Sequence, residues 1–185
     1  MMTEISLNVL DVAENSTRAN ASLIRITVEA DEHKDHLTIM IEDNGCGMTA
    51  EQVARVTDPF FTSRTTRKVG LGVPFFKYAA ESTGGSFVIQ SEPGVGTIVK
   101  AVFVLSHIDR MPLGDINSTI HNLIVYHPDT DFLYRYCYNE HSFTLDTREF
   151  REILGGVPFD TPEVAEYIRE YLNENKLETD GGAVY

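Results

Sequence analysis

Two early segments of the chain alternate hydrophobic and polar residues, LIRITVEA (23–30) and HLTIMIED (36–43). Both are rich in β-branched residues and a short polar stretch separates them, which is the pattern of two strands joined as a hairpin. Residues 5–19 carry apolar side chains at a spacing closer to a helical stripe than to strict alternation. We therefore expect a first helix followed by a β-hairpin.

Glycine loops, helices and strands follow this hairpin. The loop NGCGM (44–48) precedes a short helix that Thr49 can cap, and a second helix is expected at about 73–82, before a Gly-Gly stop. Two predicted strands, SFVIQSE (86–92) and TIVKAVFVL (97–105), flank the turn PGVG. This order of elements predicts an α+β fold built as a two-layer α/β sandwich.

The pattern starts again at residue 106. It predicts a helix over 115–127, a strand pair at 131–138 and 141–147, two short acidic helices ending near Leu177, and a frayed tail, GGAVY. Residues 1–105 hold 13 acidic and 9 basic residues (net −4), and residues 106–185 hold 15 and 6 (net −9). We predict two segments, 1–105 and a small acidic α+β C-terminal appendage, 106–185. The appendage is either a partner-docking unit or a solvated face that completes the fold.

Composition and charge argue against nucleic acid and membranes as partners. The formal charge of −13 argues against nucleic acid as a partner, because phosphates require a basic surface. No apolar run approaches the ~20 residues that span a membrane, and the N-terminus lacks the features of a signal peptide, so we expect a cytoplasmic protein without a membrane partner. The two cysteines, Cys46 and Cys137, are expected to be thiols without a metal.

Candidate chemistry begins on the first predicted helix. Asp11, Asn15 and Arg18 lie at i, i+4 and i+7, which places a carboxylate, an amide and a guanidinium on one face. An amide oxygen can ligate Mg²⁺ and a guanidinium can neutralise phosphate oxygens, so this face could meet a triphosphate. The alternative is a solvated polar face.

Three glycine-containing loops supply further candidates. DNGCGM (43–48) ends a hydrophobic strand with an acid and two glycines, so backbone can approach a ligand and the carboxylate can accept from an amino-purine. DPFF (58–61) leads into a basic segment and GLG (70–72), which opens a helix as phosphate sites do. GVGT (94–97) enters a strand. Each loop alone is also consistent with a plain turn.

In order and spacing, these elements resemble the signature boxes of the GHKL superfamily, the ATPase fold of gyrase, heat-shock chaperone, histidine kinase and MutL. The resemblance covers about residues 5–105: DVAENSTRANA (11–21) resembles the asparagine box, and the loops above resemble the glycine and phenylalanine boxes. Residues 70–103 are particularly similar to histidine kinases. The resemblance implies a Bergerat-type ATP-binding fold, with a mixed, mainly antiparallel sheet under helices, and ATP with Mg²⁺ as ligands.

The resemblance also implies roles for single residues. It places Asn15 on Mg²⁺, Asp43 on the adenine amino group and Thr97 near the adenine. Gly45 and Gly47 would lie beside the base, and Gly70 and Gly72 would lie at the phosphates. Residues 62–69 would form a lid over the nucleotide. Further nucleotide contacts are expected from Arg18, Met48, Phe60, Leu71 and the lid residues Arg64, Arg67 and Lys68.

Asp11 departs from the family pattern. ATP-hydrolysing members and anti-sigma kinases carry a glutamate general base at this position, and histidine kinases usually carry asparagine. Aspartate keeps the carboxylate but shortens its reach, and a general base must come within hydrogen-bond distance of the attacking group. Asp11 is therefore the candidate general base. Glu14 is secondary, because it lies about 300° around the helix from Asp11.

Three functions remain open at this point. The first is a stand-alone regulatory protein kinase that passes the γ-phosphate of ATP to a protein partner. The second is a slow ATPase acting as an ATP-operated conformational switch, and the third is a non-catalytic ATP-bound regulator. Oligomerisation is possible with each.

A histidine-kinase reading would require a phosphoacceptor hairpin, yet only four residues precede Ile5. The segment SHIDRMPL (106–113) resembles the acceptor box around His107, but it follows the predicted ATPase fold, and we expect His107 to be a linker residue.

Overall fold

The computed structural model describes residues 2–60 and 71–185, and these residues form six helices and a six-stranded sheet. In chain order the elements are α1 (Ile5–Arg18), β1 (Leu23–Asp31), β2 (His36–Asp43), α2 (Ala50–Thr57), α3 (Gly72–Glu81), β3 (Ser86–Glu92), β4 (Gly96–Val104), α4 (Ile116–Tyr126), β5 (Asp131–Tyr138), β6 (His141–Asp146), α5 (Thr147–Ile153) and α6 (Pro162–Asp180). The predicted α+β class is confirmed. Thr49 caps α2 as predicted, through a capping box with Gln52.

The sheet has the strand order β3-β4-β2-β1-β5-β6. The predicted hairpin is confirmed, since β1 and β2 pair antiparallel, and only the β1–β5 pair is parallel among the pairings of the described strands. Alternate residues of the strands point to a face that the helices cover, as Leu37, Ile39 and Ile41 do on β2, and these side chains are buried. The result is the expected two-layer arrangement.

Residues after 106 continue the same sheet. β5 pairs with β1, β6 pairs with β5, and α4 packs against both α1 and α6. Ile120 and Leu123 of α4 belong to one buried cluster with Val9 and Val12 of α1. The sheet and core therefore run across residue 106. The predicted segment boundary there and the docking role of residues 106–185 stay predictions.

Two expectations for the C-terminus are wrong. The last helix is not short: α6 has 19 residues and ends at Asp180, followed by Gly181 in the left-handed conformation. The tail is not frayed, because the carbonyl of Tyr185 accepts a hydrogen bond from Leu113 N at 2.8 Å and its ring stacks on Tyr138. Aromatic burial of this kind offsets the entropy that a free tail would keep.

The N-terminus of α1 is held by the segment that follows β4. The backbone N–H groups of Ile5 and Ser6 donate to the carbonyls of Pro112 and Leu113, both at 2.9 Å. These bonds satisfy donors that the first turn of a helix leaves without intrahelical partners. Among the described residues, no helix is both long enough and apolar enough to cross a membrane.

Candidate functional site

The covered face of the sheet changes from apolar to polar at its last row of side chains. Ser91, Thr97 and Asp43 are register partners on β3, β4 and β2 and share this face. The row before them consists of the apolar residues Ile89, Val99 and Ile41. The sheet thus offers a flat apolar floor that ends in three polar groups.

A cavity of about 280 Å³ lies over this floor. It is enclosed by α1, the loop after β2 and the first residues of α3, and it is lined by Val12, Asn15, Ser16, Arg18, Ala19, Ile41, Asp43, Cys46, Gly47, Met48, Val56, Val73, Ile89, Thr97 and Val99. A wider groove of about 500 Å³ lies at the same end of the sheet, where Arg25, Glu42 and Ile98 of the uncovered face line it. The smaller cavity is the candidate site, because the predicted asparagine-box helix, the loop after β2 and Thr97 all line it.

The carboxylate of Asp43 is fixed at the polar end of the cavity. Ser16 Oγ donates to one carboxylate oxygen at 2.6 Å, and the backbone N–H of Gly45 donates to the other at 2.9 Å. Each oxygen keeps lone-pair capacity, since an ionised carboxylate has about four acceptor sites. Asp43 can therefore accept a further hydrogen bond from a ligand in the cavity.

Ser91 connects the other groups at this end. Its Oγ accepts from Met48 N at 2.8 Å, lies 3.0 Å from the carbonyl oxygen of Gly96, and lies 2.8 Å from Thr97 Oγ1. One hydroxyl group therefore contacts the loop after β2, the first residue of β4 and Thr97. Thr97 lies beside Asp43, as the resemblance implied for two residues at the same base.

Gly47 allows the loop after β2 to reach the end of β3. Its φ is +67°, and a Cβ atom at this position would stand 1.9 Å from the carbonyl oxygen of Glu92. Only glycine combines this backbone conformation with so close an approach. The carbonyl of Cys46 in the same loop accepts from Gly94 N at 2.8 Å, so the first and last predicted glycine boxes are in direct contact.

Two of the three polar residues predicted to share one face of α1 lie at the cavity. Asn15 and Arg18 line it, and Arg18 Nη1 donates to Asn15 Oδ1 at 3.2 Å. An amide oxygen has a second lone pair, so this contact leaves Asn15 able to ligate a cation. The described residues contain no group of three or more His, Cys, Asp or Glu side chains that could hold a metal ion. Magnesium would fit here only as an ion held mainly by ligand oxygens and water, which is its usual mode.

Asp11 lies one turn before Asn15 and is not among the described residues that line the cavity. Burial raises the pKa of its carboxyl group, Arg18 opposes this shift, and Glu14 adds to it. Glu14, the secondary candidate, has its Oε1 in hydrogen-bond contact with His127 Nε2 at 2.8 Å, and it too is outside the set of described lining residues.

The other predicted site residues are distributed differently. Gly45 is buried behind Asp43, and Gly72 packs against the Asp11 side chain. Phe60 and Leu71 are exposed and are not among the described residues lining the cavity. Arg64, Arg67, Lys68 and Gly70, with the rest of the predicted lid, lie outside the described residues. All ligand contacts assigned to these residues stay predictions.

Sequence reasoning missed Ser16 and Ser91, which hold the polar end of the cavity. One signal for Ser91 was available, since it shares the strand parity of the partly buried Phe87 and Ile89. A polar side chain at an inward position of a strand requires a hydrogen-bond partner. Ser16 gave a comparable signal, because it follows the inward-facing Val9, Val12 and Ala13 at helical spacing.

Comparison with known families identifies the family to which this fold belongs. Residues 1–107 match the family described as histidine kinase-, DNA gyrase B-, and HSP90-like ATPase. The match covers more than half of the chain, and the chain belongs to this family.

Similar proteins include bacterial sensors. Sensor protein ChvG of Agrobacterium fabrum is 38% identical over 90 residues, which are 44% of this chain and 15% of that protein. Sensor protein kinase FleS of Pseudomonas aeruginosa is 36% identical over 110 residues, 60% of this chain and 27% of that protein. A putative sensor protein of Shewanella frigidimarina is 31% identical over 107 residues, 57% of this chain and 16% of that protein. The chain thus spans only a minor part of the length of these relatives.

Two solved structures illustrate the similarity of the fold. The MutL ATPase domain of Aquifex aeolicus, complexed with ADP, superposes with a TM-score of 0.51 over 84% of this chain and 70% of that chain, at 14% identity. The N-terminal domain of a DNA repair protein gives a TM-score of 0.55 over 78% of this chain and 52% of that chain, also at 14% identity. At this identity the likeness shows the fold alone.

Proposed function

We propose that this chain binds ATP with Mg²⁺ in the cavity between α1 and the end of the sheet, and that it is a stand-alone regulatory kinase. It would transfer the γ-phosphate of ATP to a protein partner. The observation that carries the proposal is the apolar floor that ends in Asp43 and Thr97, facing Asn15 and Arg18 across one cavity.

The floor and its polar end suit an adenine base. A planar aromatic base gains from contact with Ile41, Ile89 and Val99, which are apolar and lie on neighbouring strands. The Asp43 carboxylate can accept from the adenine amino group, because both of its present partners leave acceptor capacity. The complex of the MutL ATPase domain with ADP, a fold of the same kind, supports a nucleotide in this family's cavity.

The phosphates would lie along the polar face of α1 toward the start of α3. Arg18 supplies positive charge, and among the described residues no side chain caps the N–H groups at the start of α3, where Leu71 is the N-cap residue. Uncapped N–H groups at a helix start favour an anion. Asn15 would hold Mg²⁺ through its amide oxygen, and the ion would neutralise charge on the phosphates.

Asp11 is the proposed general base for the acceptor hydroxyl. Its side chain is partly buried next to the start of α3, and burial raises its pKa, which strengthens a carboxylate as a base. A signalling role is supported by the sensor proteins among the relatives, and the acidic C-terminal half is the proposed partner surface.

One labelling experiment tests this function. The purified chain is incubated with Mg²⁺ and γ-labelled ATP, alone and with lysate of its native host, beside an Asp11→Asn variant as a control. Label transferred to a protein by the wild type and not by the variant supports the kinase. Release of free phosphate without labelled protein would reject the kinase and favour an ATP-operated switch. ATP binding without turnover would reject both and favour a non-catalytic regulator.

A further inference from the structure

We propose that Ser16 and Ser91 are positioning residues that make the polar end of the cavity a pure acceptor surface, selective for a purine with an amino group at its 6-position. The inference rests on the proposed nucleotide site and adds how that site discriminates. It follows from the hydrogen-bond geometry of four side chains, Ser16, Asp43, Ser91 and Thr97.

Ser16 fixes the first acceptor. It is buried on α1 and has two acceptors in reach, Asp43 Oδ2 at 2.6 Å and the Val12 carbonyl at 3.5 Å. The short contact takes the single hydroxyl proton, because 3.5 Å lies beyond the usual range of such bonds. The carboxylate of Asp43 is thus held in one orientation by Ser16 from the helix and by Gly45 from the loop.

Ser91 fixes the second acceptor. The Gly96 carbonyl, 3.0 Å from Ser91 Oγ, can only accept, so that contact uses the single proton of Ser91. The 2.8 Å contact between Ser91 and Thr97 then requires Thr97 to be the donor. With its proton committed to Ser91, the Thr97 hydroxyl presents only lone pairs to the cavity.

Two neighbouring acceptors favour one kind of base edge. Asp43 and Thr97 are register partners on adjacent strands, so their side chains lie on the same face and close together. The 6-amino group of adenine has two N–H bonds to offer this pair. A 6-oxo purine, as in ITP or GTP, brings its carbonyl oxygen against these acceptors and replaces the two N–H bonds of the 6-amino group with a single N1–H donor, so an acceptor loses its partner, which costs affinity.

The test compares ATP with ITP, which has a 6-oxo group in place of the 6-amino group and carries a proton on N1. Calorimetry on the full chain with Mg²⁺ gives the ratio of the two dissociation constants. Ser91→Ala releases the Thr97 proton to serve a 6-oxo group, so ITP binding should improve and the preference for ATP should fall by roughly 5- to 100-fold. Ser16→Ala should lower the preference by a similar factor through weaker ATP binding, because Asp43 loses its fixed orientation.

Matched variants separate positioning from general damage. Ser91→Thr and Ser16→Thr keep a hydroxyl and should retain the wild-type preference. Ser86 lies on the opposite face of β3, and Thr17 is an α1 residue whose hydroxyl donates to the Glu14 carbonyl. Ser86→Ala and Thr17→Ala should therefore both leave the preference for ATP unchanged. If Ser91→Ala does not fold, Ser91→Cys provides the same test, because a thiol is a weak acceptor.

The outcomes are distinct. An unchanged ATP-to-ITP ratio in a folded serine variant would overturn the role assigned to that serine, and an equal loss for both nucleotides would do the same. A wild-type chain that binds neither nucleotide would instead overturn the proposed function. Equal affinity of the wild type for ATP and ITP would overturn the acceptor surface while leaving nucleotide binding intact.

Discussion

Gly72, the first residue of α3, lies directly against Asp11 of α1. A Cβ atom built on Gly72 would stand 2.7 Å from Asp11 Cβ and 2.9 Å from Asp11 Oδ2. Contacts this short do not occur between real side chains, so the approach of the two helices requires a glycine. Gly72, the last residue of the predicted GLG loop, thereby fixes where Asp11 lies relative to the α3 N-terminus.

Gly72→Ala should therefore disturb Asp11 more than it disturbs the fold. The added methyl group must push the Asp11 side chain or separate the helices, and overpacking of this kind costs about 1–3 kcal/mol. We expect a lower melting temperature together with reduced turnover. The exposed Glu81→Ala on the same helix is the control. Wild-type turnover in Gly72→Ala would show that this contact does not position Asp11.

Asn15→Ala should weaken Mg²⁺-dependent ATP binding by about 10-fold or more, because the amide oxygen proposed to hold the metal is removed. Titration calorimetry with Mg²⁺ measures the loss, and the same titration with a chelator is the control. The mutation also removes the acceptor of Arg18 Nη1. A loss that persists without magnesium would assign the effect to Arg18 and reject the metal role.

Asp43→Asn should reduce selectivity for adenine, because an amide presents a donor where the carboxylate accepts. An unmet polar pair in a buried site costs about 1–3 kcal/mol. The measurement compares ATP with GTP in one binding assay. Glu42→Gln is a matched control, since Glu42 is the neighbouring residue of β2 and points to the opposite face. An equal loss for both nucleotides would mean that Asp43 does not read the base.

Local patterns predicted much of this fold. Helix α1 and the β1–β2 hairpin follow from periodicity within single segments, and the polar face of α1 follows from helical spacing. The β1–β5 pairing joins residues more than a hundred positions apart, and periodicity within a segment carries no information about such a partner. For this reason the sequence pattern does not reveal that β5 and β6 extend the sheet.

The candidate site was predictable in the same measure. The motifs single out Asn15, Arg18, Asp43 and Thr97, and these four residues line one cavity, while their contacts with a ligand stay predictions. The hydrogen bond between Ser16 and Asp43 depends on how α1 crosses the sheet, which is a tertiary relationship. The docking of the tail is also a tertiary relationship, because Tyr185 is held by a hydrogen bond from Leu113 and by stacking on Tyr138.

Asp180, the last residue of α6, makes stability depend on pH. Its carboxylate is buried, which raises its pKa, but hydrogen bonds from Lys176, Tyr136 and Gly182 lower it more, so the pKa lies below its ordinary value. A lowered folded-state pKa contributes stability above the unfolded-state pKa, and this contribution is lost as pH falls through the folded-state pKa.

Asp180→Asn should accordingly cost about 1–3 kcal/mol of unfolding free energy at neutral pH. Urea denaturation at several pH values should show the difference from wild type shrinking as the solution is acidified. Glu178→Gln, an exposed neighbour on α6, is the control. A difference that stays constant down to acidic pH would exclude ionised Asp180 as the source.

Substitutions of Asp11 test whether this residue acts as a general base. If its carboxylate is the general base, Asp11→Asn should leave ATP affinity nearly intact and reduce turnover by about 10²–10⁴-fold, the usual contribution of a positioned base. Asp11→Glu restores the reach found in hydrolysing relatives and should match or exceed the wild type. Single-turnover phosphate release or transfer at saturating Mg²⁺ and ATP measures both variants.

The pH dependence gives a second readout of the same group. Because burial raises the Asp11 pKa and only the ionised carboxylate accepts a proton, the wild-type rate should rise with pH through a midpoint above the ordinary aspartate value. The midpoint should be absent in Asp11→Asn. The competing view is that Asp11 helps to hold magnesium through a water molecule, in which case asparagine is tolerated. Full activity of Asp11→Asn would rule out base catalysis by this residue and favour phosphotransfer of the histidine-kinase type.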